Sequence, residues 1–331
     1  MENLNQNFEA KLKGTIAKAM RYERTLKKNE TDQGYRMSFA SSIIKKINPK
    51  YYDVLANIIE RSGVTITVPY SKSCNPSFRY YGITPNIKVG YFDDSETFTH
   101  ECGHLADHHD VHNNEAYLYS LKPFKGCNLH MTLIDEFNRN KEMIFKKFKE
   151  ELNTSLEEEF GEKALDLLEQ CYRIKEIKTS ILKDVSYAKY GSNRLSLAHP
   201  KSTKPRKEEY VSIVEKIAGQ IVSISEDSSI DDYISMYLNS KTYKEICKNY
   251  GGTISDMLSS TYDLTPYGLG GHTIKYFEQP SLLSQEFFAE IFSYKLTNNV
   301  SCLDRTKKLF PRTFKMAECV FDYVLGQYAS N

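Results

Sequence analysis

Apolar residues recur at every third or fourth position through most of this chain, a spacing that is typical of amphipathic helices. The first region with this spacing covers residues 1–62. Two stripes carry it: Phe8, Leu12, Ile16 and Met20, followed by Tyr52, Leu55, Ile58 and Ile59. Residues 1–62 are therefore predicted to form an N-terminal helical region whose apolar faces lie in a core.

The spacing changes after Gly63, which is predicted to end the last of these helices. Residues 64–68 are β-branched throughout and are followed by Pro69, a pattern that favours a strand. Two further strands are predicted at residues 79–83 and 87–92. The three strands are expected to form a small sheet ahead of the next helix.

That helix is predicted because residues 93–96 supply N-capping and acidic side chains. Its sequence, TFTHECGHLAD over residues 97–107, contains His100, Glu101 and His104 in the pattern HExxH. Residues four apart share one face of a helix, so His100 and His104 can present imidazole nitrogens to one metal ion. Glu101 is placed so that its carboxylate can take a proton from water without ligating the metal itself.

The HExxH pattern predicts hydrolysis of a peptide bond at a zinc ion. A match to the five-residue pattern HExxH is expected by chance in roughly one such chain in a hundred, so the rest of the sequence has to supply further support. A helix with two partly exposed histidines and a solvated glutamate is the alternative, and it stays open until a third ligand is found.

More polar residues follow the motif: His108, His109, Asp110 and His112. Asp110 stands where the extension HExxHxxGxxH places its last ligand, but position 107 is Asp, and the glycine needed for the turn is missing. The histidines are interpreted as polar residues at the helix exit. Asp107 lies one turn beyond His104, where its carboxylate can steady a ligand or a cap, or be solvated.

A long, charged region covers residues 113–250 and has a helical spacing of apolar residues. Its two main stripes are Leu133, Phe137, Ile144, Phe148 and Leu152, and Leu156, Phe160, Ala164, Leu167, Leu168 and Cys171. Residues 191–207 break the pattern with Gly, Pro, Ser and a basic cluster, which indicates a loop or linker. The region is therefore predicted to be a set of packed helices with one linker.

A helix rich in phenylalanine is predicted at residues 281–293, SLLSQEFFAEIFS, after Pro280. Glu286 and Glu290 lie one turn apart on it, and buried helices rarely hold two such charges without a partner. A divalent cation is such a partner. We therefore predict Glu286 as the third zinc ligand and Glu290 as a residue that bonds a ligand imidazole. A solvent-facing acidic pair is the alternative.

Composition adds limits to this picture. The chain has 331 residues, 40% of them hydrophobic, enough for a large core. Because 44 basic residues nearly balance 43 acidic ones, no global charge indicates a nucleic-acid or membrane partner. The partner expected from the HExxH motif is a peptide or protein substrate. Seven scattered cysteines without CxxC pairs favour free thiols in the cytoplasm. Because the first residues lack an apolar core and no stretch approaches about eighteen apolar residues, we expect neither a standard signal peptide nor a membrane span, and any export or virion association is expected to follow a non-standard route.

The pair HECGHLAD and QEFFAEIFS resembles the gluzincin-type metallopeptidase domains, the zincin family that includes the catalytic domain of anthrax lethal factor. It is also similar to metallopeptidase-like domains of phage head-associated proteins and bacterial toxins, which often carry an SD…GH…Y segment. Residues 255–256 and 271–276 match that segment. The resemblance covers about residues 86–110 and 252–326.

This resemblance implies that Glu286 is the third zinc ligand and that a tyrosine ahead of its helix stabilises the transition state. Two tyrosines match, and Tyr276 is preferred to Tyr267. The imidazole of His272 is a second candidate for the same hydrogen bond to the oxyanion.

The predicted fold is α+β and mostly helical, with a zincin-like catalytic domain made of residues 63–112 and 251–331. Residues 113–250 are interpreted as a helical insertion, because the two motifs are much farther apart than in lethal factor. The predicted function is that of a zinc-dependent endopeptidase. Two alternatives stay open: a non-catalytic or virion-associated peptide-binding protein that keeps this fold, and a zinc hydrolase of another amide, of the deformylase kind. Deformylases take a ligand from an upstream cysteine, and Cys74 lacks the expected setting.

Overall fold

The computed structural model describes residues 2–22, 32–68, 76–81, 84–90, 94–109, 117–124, 126–176, 230–269 and 274–329. The chain divides into two compact units. The first consists of residues 1–141 and 275–331, and the second consists of residues 142–274. The second unit shares residues 142–250 with the insertion predicted at 113–250, but both of its limits lie later in the chain.

Three helices begin the first unit: α1 (Glu2–Ala19), α2 (Asp32–Ile43) and α3 (Tyr52–Ser62). Gly63 ends α3 as predicted, in a left-handed conformation with φ of 61° that glycine adopts without strain. The prediction that Met20 continues a helical stripe was wrong, since Met20–Tyr22 is strand β1. A strand of three residues has no period of its own, and pairing with a distant strand decides its conformation.

A four-stranded sheet follows, with β2 (Thr65–Val68), β3 (Ser77–Tyr81) and β4 (Thr84–Lys88). The strand order is β1-β2-β4-β3. Strands β1, β2 and β4 are parallel, and β3 is antiparallel to β4 at the edge.

Strand β4 begins earlier than the predicted residues 87–92. Pro85 and Asn86 are poor strand formers, yet they pair with Tyr80 and Arg79 of β3, so the neighbouring strand overrides their local preference. Residues 82–83 and 91–93 lie outside the described parts of the chain.

Helix α4 (Ser95–Asp107) carries the HExxH motif. Asp94 caps its N-terminus, as predicted, by accepting a hydrogen bond from the backbone N–H of Thr97 at 3.0 Å. A short antiparallel pair follows, β5 (His108–His109) with β6 (Tyr117–Leu118). Asp110, which was considered as a ligand and set aside because position 107 is not glycine, lies outside the described residues, as does His112.

The first unit ends with helices α10 (Pro280–Leu296), α11 (Val300–Leu309) and α12 (Pro311–Tyr328). Phe287, Phe288 and Phe292 of α10 are almost completely buried. A helix that is apolar on most sides is a central helix, so the core of this unit surrounds α10.

The second unit is helical. It begins within α5 (Leu129–Phe160) and continues through α6 (residues 164–176), α7 (Ile230–Asn239), α8 (Lys241–Tyr250) and α9 (Thr253–Ser259). Its core is aromatic, since the ring of Phe148 meets the rings of Tyr250 and Tyr267 edge-on at 5.0 and 5.2 Å. The linker predicted at residues 191–207 lies outside the described residues.

The prediction of a mostly helical α+β protein with a small sheet ahead of α4 is confirmed. Among the described residues, none of the helices combines the length and the hydropathy that crossing a bilayer requires.

Candidate metal centre

The candidate centre lies where α4 and α10 pack against each other. A β-carbon placed on Gly103 would lie 2.7 Å from the Cα and 3.0 Å from the carbonyl oxygen of Ala289, so the two backbones are nearly in contact there. One turn earlier on α4, the hydroxyl groups of Thr99 and Ser293 form a buried hydrogen bond of 2.8 Å. The pairs 99–293 and 103–289 run in opposite directions, so the two helices are antiparallel.

Three side chains meet beside this contact. The Nε2 atoms of His100 and His104 are 3.1 Å apart, and they lie 3.2 and 3.3 Å from Oε2 of Glu286. A tetrahedral zinc ion with ligands at 2.0–2.1 Å separates its ligand atoms by about 3.3 Å, so this triangle has the size of one face of such a site. The group His100, His104 and Glu286 can therefore hold a metal ion.

Charge keeps Glu286 in the form that ligates metals. Burial raises the pKa of a carboxyl group, but the charge of His104 and the hydrogen bonds from both imidazoles hold the pKa of Glu286 well below its usual range. Burial by itself lowers the pKa of His100. The hydrogen bond to Glu286 and the negative charges of Glu290, Glu286 and Glu101 outweigh that effect, and the pKa of His100 is raised to about 10. These shifts favour a protonated His100 beside an ionised Glu286, and a divalent cation can take the place of that proton.

Glu101 occupies α4 beside His100 and is only 6% exposed. Its charge contributes to the raised pKa of His100, so the carboxylate acts electrostatically on the ligand group. A carboxylate in this position can accept a proton from water near the three ligand atoms.

Tyr276 lies in a 3₁₀ turn, Ile274–Glu278, directly before α10. Its hydroxyl group donates a hydrogen bond of 2.7 Å to Oε1 of Glu286. Tyr267, the other tyrosine considered, belongs to the second unit, and its hydroxyl donates to Glu169 at 2.6 Å. His272 lies outside the described residues.

Glu290 and Asp107 were predicted to support the ligands. Oε1 of Glu290 lies 3.6 Å from Nδ1 of His100, the ring nitrogen opposite the one that faces Glu286. Asp107 is completely buried, which excludes the solvated alternative. Its two oxygens accept hydrogen bonds of 2.6 Å from the backbone N–H and the hydroxyl of Ser120, and so fix the end of α4 to the following turn.

Sequence reasoning missed Phe78 as a neighbour of the site. This residue lies on β3, and its ring stacks on that of His104 at 6.3 Å and contacts that of His108 at 5.1 Å. Burial and the nearby charge of His104 lower the pKa of His108 to about 4. The aromatic residues of 77–81 are typical of a strand, but the sequence contains no sign of which helix the strand meets.

No family model, curated protein or solved structure matches the chain. The resemblance to gluzincin-type domains therefore stays a prediction, and the case for a metal site depends on the geometry of its own residues.

Proposed function

We propose that this protein is a zinc-dependent endopeptidase of the zincin kind, with His100, His104 and Glu286 as zinc ligands. The observation that carries the proposal is the triangle of ligand atoms, whose sides of 3.1–3.3 Å match one face of a tetrahedral zinc site. Two nitrogens and one carboxylate oxygen from this chain leave a fourth position for water, the donor set of hydrolytic zinc sites.

Zinc supplies a Lewis acid that polarises the peptide carbonyl and lowers the pKa of water towards neutrality. Glu101 accepts the proton that water loses and later returns it to the leaving amine. His100 and His104 hold their ring positions from successive turns of α4, and Glu290 lies behind His100, where its charge favours the orientation that points Nε2 at Glu286. The resemblance implies Tyr276 as a donor to the oxyanion, with the imidazole of His272 as a second candidate. Because the hydroxyl of Tyr276 donates to Oε1 of Glu286, that role would require Tyr276 to change its hydrogen-bond partner.

The edge of the sheet supports an extended peptide as substrate. Among the described strands, β3 has a hydrogen-bonded neighbour on one side only, so its outer edge can pair with another backbone. Phe78 of β3 packs on the ring of His104. A peptide paired with β3 would thus run beside the ligand imidazoles.

The test is cleavage of a proteome-derived peptide library by zinc-loaded protein, read by mass spectrometry with and without a chelator. Glu101→Gln is expected to keep zinc bound and to lower turnover by at least about a hundredfold, because the proton acceptor is lost. Glu60→Gln, an exposed glutamate on α3, is the matched control and should cleave as the parent does. Undiminished turnover by a zinc-loaded Glu101→Gln protein would refute the assignment.

The same experiment separates the alternatives. Peptides retained but not cleaved by the zinc-loaded parent would indicate a binding protein that keeps the metal site. Release of formyl groups without backbone cleavage would indicate a hydrolase of another amide.

A further inference from the structure

The carboxylate of Glu286 uses its two oxygens differently. Oε2 lies 3.2 and 3.3 Å from the Nε2 atoms of the two histidines, while Oε1 accepts the hydrogen bond of 2.7 Å from the hydroxyl of Tyr276. Because Glu286 is only 2% exposed, its orientation is set by the protein and not by bulk water. The hydroxyl of Tyr276 is thus bonded to the oxygen of Glu286 that does not face the imidazoles.

A phenol has one proton to donate. In this arrangement the proton points at Oε1 of Glu286, so the same hydroxyl is not available to an oxyanion unless the bond to Glu286 is first broken. A donor that is already engaged with a carboxylate also gains little by changing partner, since hydrogen bonds to charged acceptors are among the strong ones.

The position of Tyr276 is fixed by its surroundings. The next residue, Phe277, is 8% exposed and anchors the 3₁₀ turn in the core, and its ring meets that of Tyr276 edge-on at 5.0 Å. The turn leads into α10 at Pro280, which brings the phenol back over the helix that bears Glu286. A ligand and the group that orients it therefore come from one continuous segment.

We propose that Tyr276 is a positioning residue for the third metal ligand. Its hydrogen bond holds Oε1 away from the imidazoles, so that Glu286 presents a single oxygen to the ion and the fourth position stays open to water. This inference rests on the proposed metal site, and it gives the tyrosine a role in the resting protein that is distinct from transition-state stabilisation.

The test compares Tyr276→Phe with the parent in two measurements. Zinc affinity is measured by titrating metal-free protein with zinc in competition with a chromophoric chelator, and ligand geometry is measured from the visible absorption spectrum after titration with cobalt(II). Loss of a hydrogen bond to a ligand typically weakens metal binding 10–100-fold, so we expect a loss of about that size together with a changed cobalt spectrum.

Tyr323→Phe is the matched control. Its hydroxyl accepts a hydrogen bond from Lys122 at 3.2 Å, and its ring contacts those of Tyr119 and Phe124, so removal of the hydroxyl should change neither measurement. Thermal unfolding of the metal-free proteins checks the fold. Tyr276→Phe leaves Oε1 of the buried Glu286 without this donor, so its melting temperature is expected to fall slightly while the transition stays cooperative.

Each outcome decides the inference. Weaker zinc binding with a changed cobalt spectrum in Tyr276→Phe alone supports it. Unchanged affinity and spectrum overturn it, and slower peptide cleavage in that case would assign the hydroxyl to the oxyanion instead. A parent protein that binds neither zinc nor cobalt overturns the metal site itself, and the inference with it.

Discussion

The contact between Gly103 and Ala289 leads to a quantitative prediction for Gly103→Ala. The added β-carbon would lie 2.7 Å from the Cα of Ala289, while carbon atoms in contact are ordinarily 3.5–4.0 Å apart, so α4 and α10 must separate locally by about 1 Å. Metal sites tolerate deviations of about 0.2 Å in ligand distances. The substitution is therefore expected to weaken zinc binding by at least about tenfold.

The close contact between Gly103 and Ala289 also predicts how Gly103→Ala changes the free energy of unfolding. Overpacking a core typically costs about 1–3 kcal/mol, and replacing glycine by alanine inside a helix stabilises it by about 0.5–1 kcal/mol. Gly14→Ala in α1 supplies the second effect alone, because a β-carbon there meets nothing within 4 Å. Gly103→Ala is thus expected to be less stable than Gly14→Ala by about 1–3 kcal/mol, the cost of overpacking.

Chemical unfolding of the metal-free proteins measures the stability difference, and competition titration with zinc measures affinity. Gly14→Ala should bind zinc as the parent does and unfold at slightly higher denaturant concentration. If Gly103→Ala matches Gly14→Ala in both measurements, then the close approach of the two helices does not position the ligands, and the reasoning is refuted.

Two more predictions concern buried carboxylates. Glu286→Ala removes one of three ligand atoms, so the dialysed protein should retain far less zinc than the parent by atomic absorption, and equal zinc content would point to another third ligand. Burial raises the pKa of Asp107 from 3.8 to about 6, so the folded protein holds a proton that the unfolded chain has released between these pH values, and this group's contribution to stability falls as pH rises through that window. Asp107→Asn has no such group to titrate. Between pH 3.5 and pH 7 the unfolding free energy of the metal-free parent should therefore fall by about 3 kcal/mol relative to that of the variant, and parallel pH profiles would contradict this.

Local chemistry made part of the site predictable. Asp94 is a capping residue and starts α4 as its side chain requires, and the spacing of His100 and His104 brings their Nε2 atoms to 3.1 Å. Glu286 was predicted from a physical conflict, a charge within a run of phenylalanines, and it is indeed 2% exposed and beside both histidines. Each of these signals is contained within a few neighbouring residues or in the cost of burying one charge.

Other features depend on partners that are distant in sequence. Strand β1 forms because residues 20–22 pair with β2, more than forty positions later. Asp107 accepts two hydrogen bonds from Ser120, and the sequence around neither residue predicts this contact. The closeness of α4 and α10 at Gly103 has the same origin, since a glycine inside a helix can equally well be an exposed one, as Gly14 is.

Two pairs of small residues, Thr99 with Ser293 and Gly103 with Ala289, lie where the HExxH helix α4 packs against the glutamate helix α10. Thr99 and Gly103 lie one residue before His100 and His104, so each histidine has a small neighbour that faces α10. On α10, Ala289 lies against Gly103 and Ser293 lies against Thr99. A buried hydrogen bond joins Thr99 to Ser293, where larger side chains would hold the helices apart. Small side chains let the two backbones approach at this contact, and the same packing places Oε2 of Glu286 within 3.3 Å of both imidazoles. The small residues between the HExxH motif and the glutamate helix therefore help to set the separation of the three ligands.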